Sequence, residues 1–214
     1  MKNQISTADT VNGVRPAQQA RSKKRRDDLL DAGLGLLRQK SLDELTIQEI
    51  AKSCDSSVGA FYSRFTNKEG FFKALQSREV EKTRVRFRGG LSGEVMRPLT
   101  PRQRVQQFVE TVVREVRNMQ GILYASLKHE SVQPDSWTPH HSSSVILAEL
   151  AVQWLCKESE QPVSEEKVKI AAQLIFGVLV DAMLHRPGPI QLEDPELTVE
   201  LGIMMSRYLL IPDD

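Results

Sequence analysis

Apolar residues recur at helical spacing along almost the whole chain, with no strand alternation, no Asn-Gly or Asp-Gly hairpin signal and no internal repeat. The pattern predicts an all-α protein of about nine helices. A first helix is expected over about 21–40, where Leu29, Ala32, Gly33, Leu36 and Leu37 make one stripe and Leu30 and Leu34 lie beside it. Thr46 followed by Glu49 reads as a capping box ahead of Ile47, Ile50 and Ala51, and Thr66 with Glu69 as a second ahead of Phe71, Phe72 and Leu75. The same pattern at Ser41 and Glu44 falls where a loop is expected. The Gly-rich segment 89–99 is the clearest break. Beyond it, helices are expected over about 101–118, 121–132, 142–158, 164–185 and 194–210, with a loop at "QPDSWTPHHSSS".

Between the two capping boxes stands "SCDSSVGAFYSRF", residues 53–65. It is too short to hold a helix alone. Val58, Phe61 and Phe65 can face inward and anchor it to its neighbours. A short helix after a tight turn, locked to a preceding helix of similar length, is a helix-turn-helix, whose second helix enters the major groove of DNA. Gly59 lets the helix start approach the sugar-phosphate backbone, at a cost of about 1 kcal/mol of helix propensity against alanine. Ser57, Ala60, Tyr62, Ser63 and Arg64 are left for the outer face. Hydroxyls and a guanidinium are suitable donors to phosphates and base edges.

Charge sharpens this. Residues 1–90 hold 18 Lys and Arg against 11 Asp and Glu, while the remainder holds 11 against 17. A basic front half joined to an acidic back half suggests nucleic acid at one end only. Arg21, Lys23 and Lys24, in the run "RSKKRR" before the helix-turn-helix, are candidates for phosphate or minor-groove contact. Residues 1–20 are polar and aperiodic, and are expected to be a disordered arm without the apolar core of a signal peptide.

The stretch "LTIQEIAKSCDSSVGAFYSRFTNKEGFF", with "RRDDLLDAGLGLLRQK" ahead of it, resembles the DNA-binding domain of TetR-family transcriptional regulators. The family pattern runs T-x-x-x-I-A, a turn, S-x-G-x-x-Y-x-x-F, then x-x-K-E. Thr46, Ile50, Ala51, Ser57, Gly59, Tyr62, Phe65, Lys68 and Glu69 supply it in register over about a quarter of the chain. The resemblance implies phosphate contacts by Thr46, Tyr62 and Lys68, and places Ser57, Ala60, Ser63 and Arg64 near base edges or the adjoining backbone. Asp55 and Ser56 stand where the family usually has a glycine and a valine, Arg64 where a histidine is common, and Ser41 where a glycine is common. Asp tolerates the left-handed conformation such a turn needs.

Three segments follow: an arm at 1–20, a helix-turn-helix domain at 21–67, and a helical domain at 68–214 that the resemblance assigns to ligand binding and dimerisation. "KIAAQLIFGVLVDAML" and "LTVELGIMMSRYLL" are apolar on more than one face, as helices at a subunit interface are. Ile175, Leu179, Met183, Ile203 and Leu210 are the interface candidates. Phe87, Met96, Phe108, Met119, Tyr124, Trp137 and Trp154 are the large residues of the middle helices and the candidates for a pocket. A pocket of that composition fits a small apolar or aromatic effector.

Catalytic chemistry finds no support. The chain has no Walker loop, no His-Glu-x-x-His and no Gly-x-Ser-x-Gly. His129, His140, His141 and His185 lack metal-ligand spacing, so no metal and no cofactor is expected. Cys54 and Cys156 lie far apart, without zinc spacing or a disulfide framework, as expected in a reducing cytosol, and Cys54 reads as a buried structural thiol with a redox role as the alternative. No window approaches the ~18 apolar residues of a membrane span. The sequence therefore predicts a dimeric bacterial regulator, in this family most often a repressor, released from a pseudo-palindromic double-stranded operator by its effector. An adaptor that lost DNA binding and an all-helical enzyme are the rival classes.

Overall fold

The computed structural model describes residues 16–130, 138–158, 163–185 and 188–211. Among these the chain is helical, with no strand. The helices are α1 (Pro16–Leu36), α2 (Ile47–Ser53), α3 (Val58–Tyr62), α4 (Lys68–Gly90), α5 (Gly93–Met96), α6 (Pro101–Glu130), α7 (Thr138–Val152), α8 (Glu165–Leu184) and α9 (Pro195–Tyr208), and a π-helical turn, Gln153–Lys157, extends α7. The chain forms two compact units that meet between Ala74 and Leu75, inside α4.

In the front unit α1 packs on α2, and α2 on α3. Leu29, Leu30, Leu37, Leu45, Ile50, Phe61, Phe65, Phe71 and Phe72 are its buried core. Phe61, Phe65 and Phe71 form a triangle of rings with centroids 5.1–5.4 Å apart. Such pairs add about 0.5–1.5 kcal/mol each beyond area burial, which is how a helix as short as α3 is held. Phe71 and Phe72 stand in the first turn of α4, so this core runs past residue 67, where the sequence pattern placed the boundary.

The second unit is built round α6, which packs on α8, on α9 and on the π-helical turn, while α7 packs on α8. Val105, Phe108, Val109, Val112, Val116, Met119 and Ile122 make a buried stripe along α6. Arg104 ties this unit internally. Its guanidinium donates to the carbonyls of Met96 at 3.0 Å, Leu99 at 3.1 Å, Arg97 and Trp154 at 3.3 Å each, and Glu158. Polar rungs join α4 to α6 in antiparallel register: Gln76 Nε2 donates to Ser126 Oγ at 2.9 Å, Thr83 Oγ1 to Met119 Sδ at 2.7 Å, and Arg86 Nε to Glu115 Oε2 at 2.5 Å.

The structure departs from the sequence pattern at several places. Helix α1 begins at Pro16, inside the expected arm, and ends at Leu36 in a turn rather than at Lys40. The two helices expected over 101–132 are one, α6, because burial of Ile122 and Leu123 outweighs the low helix propensity of Gly121. The Gly-rich break contains α5. Helix α7 starts at Thr138, inside the expected loop. Asn67 rather than Thr66 caps α4, its Oδ1 accepting from the Gly70 N–H at 2.8 Å.

Candidate nucleic-acid interface and ligand cavity

The helix-turn-helix is fixed by side chain to backbone bonds at each end. Thr46 Oγ1 accepts from the Glu49 N–H at 3.2 Å, and Glu49 Oε2 accepts from the Thr46 N–H at 3.1 Å, so the capping box is closed. Lys40 Nζ donates to Glu49 Oε1 at 2.6 Å. These bonds from Lys40 and Thr46 lower the Glu49 pKa from 4.5 to about 2. The turn after α2 is a Schellman motif. Ser56 N–H donates to Ala51 O at 2.8 Å, Asp55 N–H to Lys52 O at 3.3 Å, and Asp55 takes φ 48°. The left-handed turn expected at Asp55 is formed without glycine. Ser57 then caps α3, its Oγ accepting from the Ala60 N–H at 3.1 Å.

These anchors leave one side of α3 open. Ser57, Gly59, Tyr62 and Ser63 are exposed, with the Tyr62 ring 55% exposed, and Ala60 and Arg64 are half-buried. Arg21, Lys23 and Lys24 are exposed on α1, and Thr46 is exposed at the start of α2. Two of the expected DNA contacts are engaged inside the protein. Lys68 Nζ donates to the carbonyls of Leu42, Asp43 and Leu45 at 2.9, 3.2 and 3.1 Å, which accounts for all three of its N–H groups. Arg64 folds back along α3 and donates through Nη1 to Ala60 O at 2.8 Å and Ser63 Oγ at 2.6 Å. Lysine and arginine are flexible cations, and residue spacing carries no sign that either would bind backbone carbonyls of the same chain.

Cys54 Sγ lies against the carbonyls of Ile50 and Ala51 at 3.4 and 3.5 Å. Burial, then the charges of Asp28 and Asp55, push its thiol pKa up. Cys156 is raised by burial first and Glu165 second. Neither thiol is activated for chemistry at neutral pH. Among the described residues no group of His, Cys, Asp and Glu could hold a metal, and no helix is long and apolar enough to cross a membrane.

The second unit holds a partly open cavity of about 40 Å³ lined by Thr83, Phe87, Val112, Glu115, Val116, Met119, Leu123, Ser144, Leu147 and Phe176. Ser144, Leu147 and Phe176 also line a groove of about 590 Å³ between α7 and α8, so the two spaces share a wall. Of the seven pocket candidates, Phe87 and Met119 line the cavity. Met96, Phe108 and Trp154 are buried core residues outside its lining, and Tyr124 is 41% exposed. Trp137, and the side chains of His129, His140 and His141, lie outside the described residues. Sequence spacing missed Glu115, a charged residue on an otherwise apolar stripe of α6.

The interface candidates differ in their burial within the chain. Ile175 and Leu179 are fully buried in their own unit and Met183 nearly so, because they are the side of α8 that packs inward. Exposed apolar residues stand one step round the helices: Ile170, Leu174 and Val178 on α8, and Val199, Met204 and Tyr208 on α9. Ile203 is half-buried, and Leu210 is 79% exposed.

A helix-turn-helix with an open reading helix, followed by a separate all-helical unit, defines a DNA-binding transcriptional regulator. Residues 29–75 match the family model described as bacterial regulatory proteins, tetR family, and the front unit is a TetR-family domain. No curated protein matches the chain. Solved structures do. A tetR-family transcriptional regulator from Mesorhizobium loti is similar with a TM-score of 0.73 at 13% identity, over 89% of this chain and 98% of that one. A tetR-family regulator from Streptomyces coelicolor gives 0.68 at 18% identity, over 88% and 82%. GusR of Salmonella enterica gives 0.62 at 16% identity, over 93% and 100%. At these identities the likeness is one of fold, and it extends through the second unit.

Proposed function

We propose that the protein is a homodimeric repressor that binds a pseudo-palindromic operator and leaves it when a small, mainly apolar molecule occupies the second unit. The observation that carries the DNA half is the α3 surface. Its apolar side is anchored by the ring triangle while Ser57, Gly59, Tyr62 and Ser63 stay open to a groove. Exposed Arg21, Lys23 and Lys24 supply phosphate contacts. The dimer rests on the apolar stripes of α8 and α9, since half-sites one helical turn or a multiple apart need two reading helices. The cavity supports the effector half. Coupling runs along α4, whose backbone continues from Lys68 in the front unit to Gly90 in the second. A bacterial cytoplasm is the setting such a regulator needs.

The test is a selection from random duplexes followed by anisotropy over a salt series. Enrichment of a pseudo-palindrome, with affinity falling by roughly 10³-fold or more between 50 and 200 mM salt if six or more phosphates are neutralised, is the expected result. A selection that enriches no sequence sinks the reading and favours an adaptor without DNA binding.

A further inference from the structure

Glu115 is an unusual residue for the wall of an apolar cavity. The residue is only 2% exposed, yet just one of its carboxylate oxygens makes a short bond. Oε2 accepts from Arg86 Nε at 2.5 Å. Oε1 pairs with Arg114 Nε at 3.8 Å, beyond hydrogen-bond reach. A further donor at Oε1 would complete the hydrogen bonding of the carboxylate. The neighbouring hydroxyl does not supply it, because Thr83 Oγ1 donates to Met119 Sδ at 2.7 Å and accepts from Arg86 Nη2 at 3.0 Å.

Resting on the ligand-responsive reading above, we infer that Glu115 Oε1 is the polar anchor of the cavity, and that the effector is a slim, mainly aliphatic molecule ending in one neutral hydrogen-bond donor, a hydroxyl or an amide N–H. Three observations set those terms. The cavity of about 40 Å³ is narrow, well below the ~150 Å³ that takes a benzene ring, so an unbranched chain enters where a fused ring does not. The wall shared with the α7–α8 groove gives the rest of the chain a place to lie along Leu147 and Phe176. Arg86 and Arg114 already set two positive charges against one carboxylate. A cationic ligand is repelled by them, and an anionic one meets Glu115 itself.

The test is calorimetric titration of the full chain, without DNA, with 1-octanol, its methyl ether and octanoate. Alcohol and ether share the chain and differ in the donor. Wild type is expected to bind octanol about tenfold or more tighter than the ether, the usual loss when a charged acceptor is left unmet, and tighter than octanoate. Glu115→Met removes the acceptor and is expected to bind alcohol and ether within about twofold of each other. Should that variant fail to fold, the alcohol–ether comparison in wild type decides alone. Equal wild-type affinities overturn the anchor while leaving a ligand cavity in place, and tighter binding of octanoate assigns the site to the arginines instead. Binding of none of the three probes overturns the cavity as an effector site, and the anchor with it.

Discussion

Gly33 of α1 lies directly beneath the ring of Phe71 in α4: a Cβ at Gly33 would stand 2.3 Å from Phe71 Cζ. The ring is fully buried and shares its other contacts with Phe61 and Phe65, so it has nowhere to move. Gly33→Ala is expected to lower front-unit stability by about 1–3 kcal/mol, the cost of overpacking, despite alanine's better helix propensity. Phe71→Ala should cost about 3–5 kcal/mol. Denaturant unfolding checks both, and a Gly33→Ala protein as stable as wild type would show that the ring is free to shift.

Lys68 bonds to three carbonyls of the loop before α2. It acts there as a positioning residue, holding the loop that leads into Thr46. Lys68→Ala is therefore expected to lower the unfolding midpoint and DNA affinity together, and to weaken binding to all sequences alike. Hydrogen bonds to a charged group are worth about 1.5–3 kcal/mol, discounted here because the loop is partly exposed. Circular dichroism melts beside anisotropy separate the roles. Unchanged stability with lost DNA affinity would make Lys68 a phosphate contact only.

Acid should loosen the front unit through Glu49. Its folded pKa, about 2, lies below the ordinary 4.5 because Lys40 and Thr46 bond to the charged form. A group with a depressed folded pKa gives stability that is full above the unfolded pKa and lost as pH falls through the folded one. The window is thus from about 4.5 down to about 2. Glu49→Gln should be less stable than wild type at pH 7, with the gap closing through that window. A gap independent of pH would mean that the capping hydrogen bonds, not the charge, hold the helix.

The helix-turn-helix was legible because its signals are local: Thr46 and Glu49 at fixed spacing, an aspartate where αL is needed, and Phe61 and Phe65 one turn apart. The apolar character of the last long helices was legible, but not which side of each is buried. The composition of α8 marks it as apolar nearly all round, but which side faces inward depends on α6 and α7, and spacing alone chose Ile175 and Leu179, the core side. The cavity was least legible. Its walls come from α4, α6, α7 and α8, and its polar member, Glu115, is recognisable only once Arg86, 29 residues away, is beside it.

That distinction between the two sides of α8 is testable. Leu174→Asp or Val178→Asp places a charge on the exposed stripe and is expected to give a folded monomer with most operator affinity lost. Ile175→Asp buries an unpaired charge and should unfold the second unit. Light scattering and circular dichroism on the same samples tell these apart. A folded Ile175→Asp monomer, or a Leu174→Asp dimer, would return the interface to the side first read from the sequence.

Leu210 closes α9 in a Schellman motif like the one after α2. Ile211 N–H donates to Ser206 O at 2.9 Å and Leu210 N–H to Arg207 O at 3.1 Å, with Leu210 at φ 57°. Aspartate tolerates this conformation, whereas leucine is strained by roughly 1–2 kcal/mol. Leu210 also leaves its side chain 79% exposed. A residue that is both strained and unburied within its own unit is accounted for if a partner subunit covers it, and its position at the end of the exposed α9 stripe agrees. Leu210→Gly relieves the strain, so the dissociated chain is expected to gain about 1 kcal/mol. The same change removes apolar area from the contact, so the dimer is expected to dissociate at higher protein concentration. Unfolding measured at nanomolar protein and sedimentation across a dilution series read the two effects separately. A Leu210→Gly chain that is more stable and dimerises as tightly as wild type would remove Leu210 from the interface.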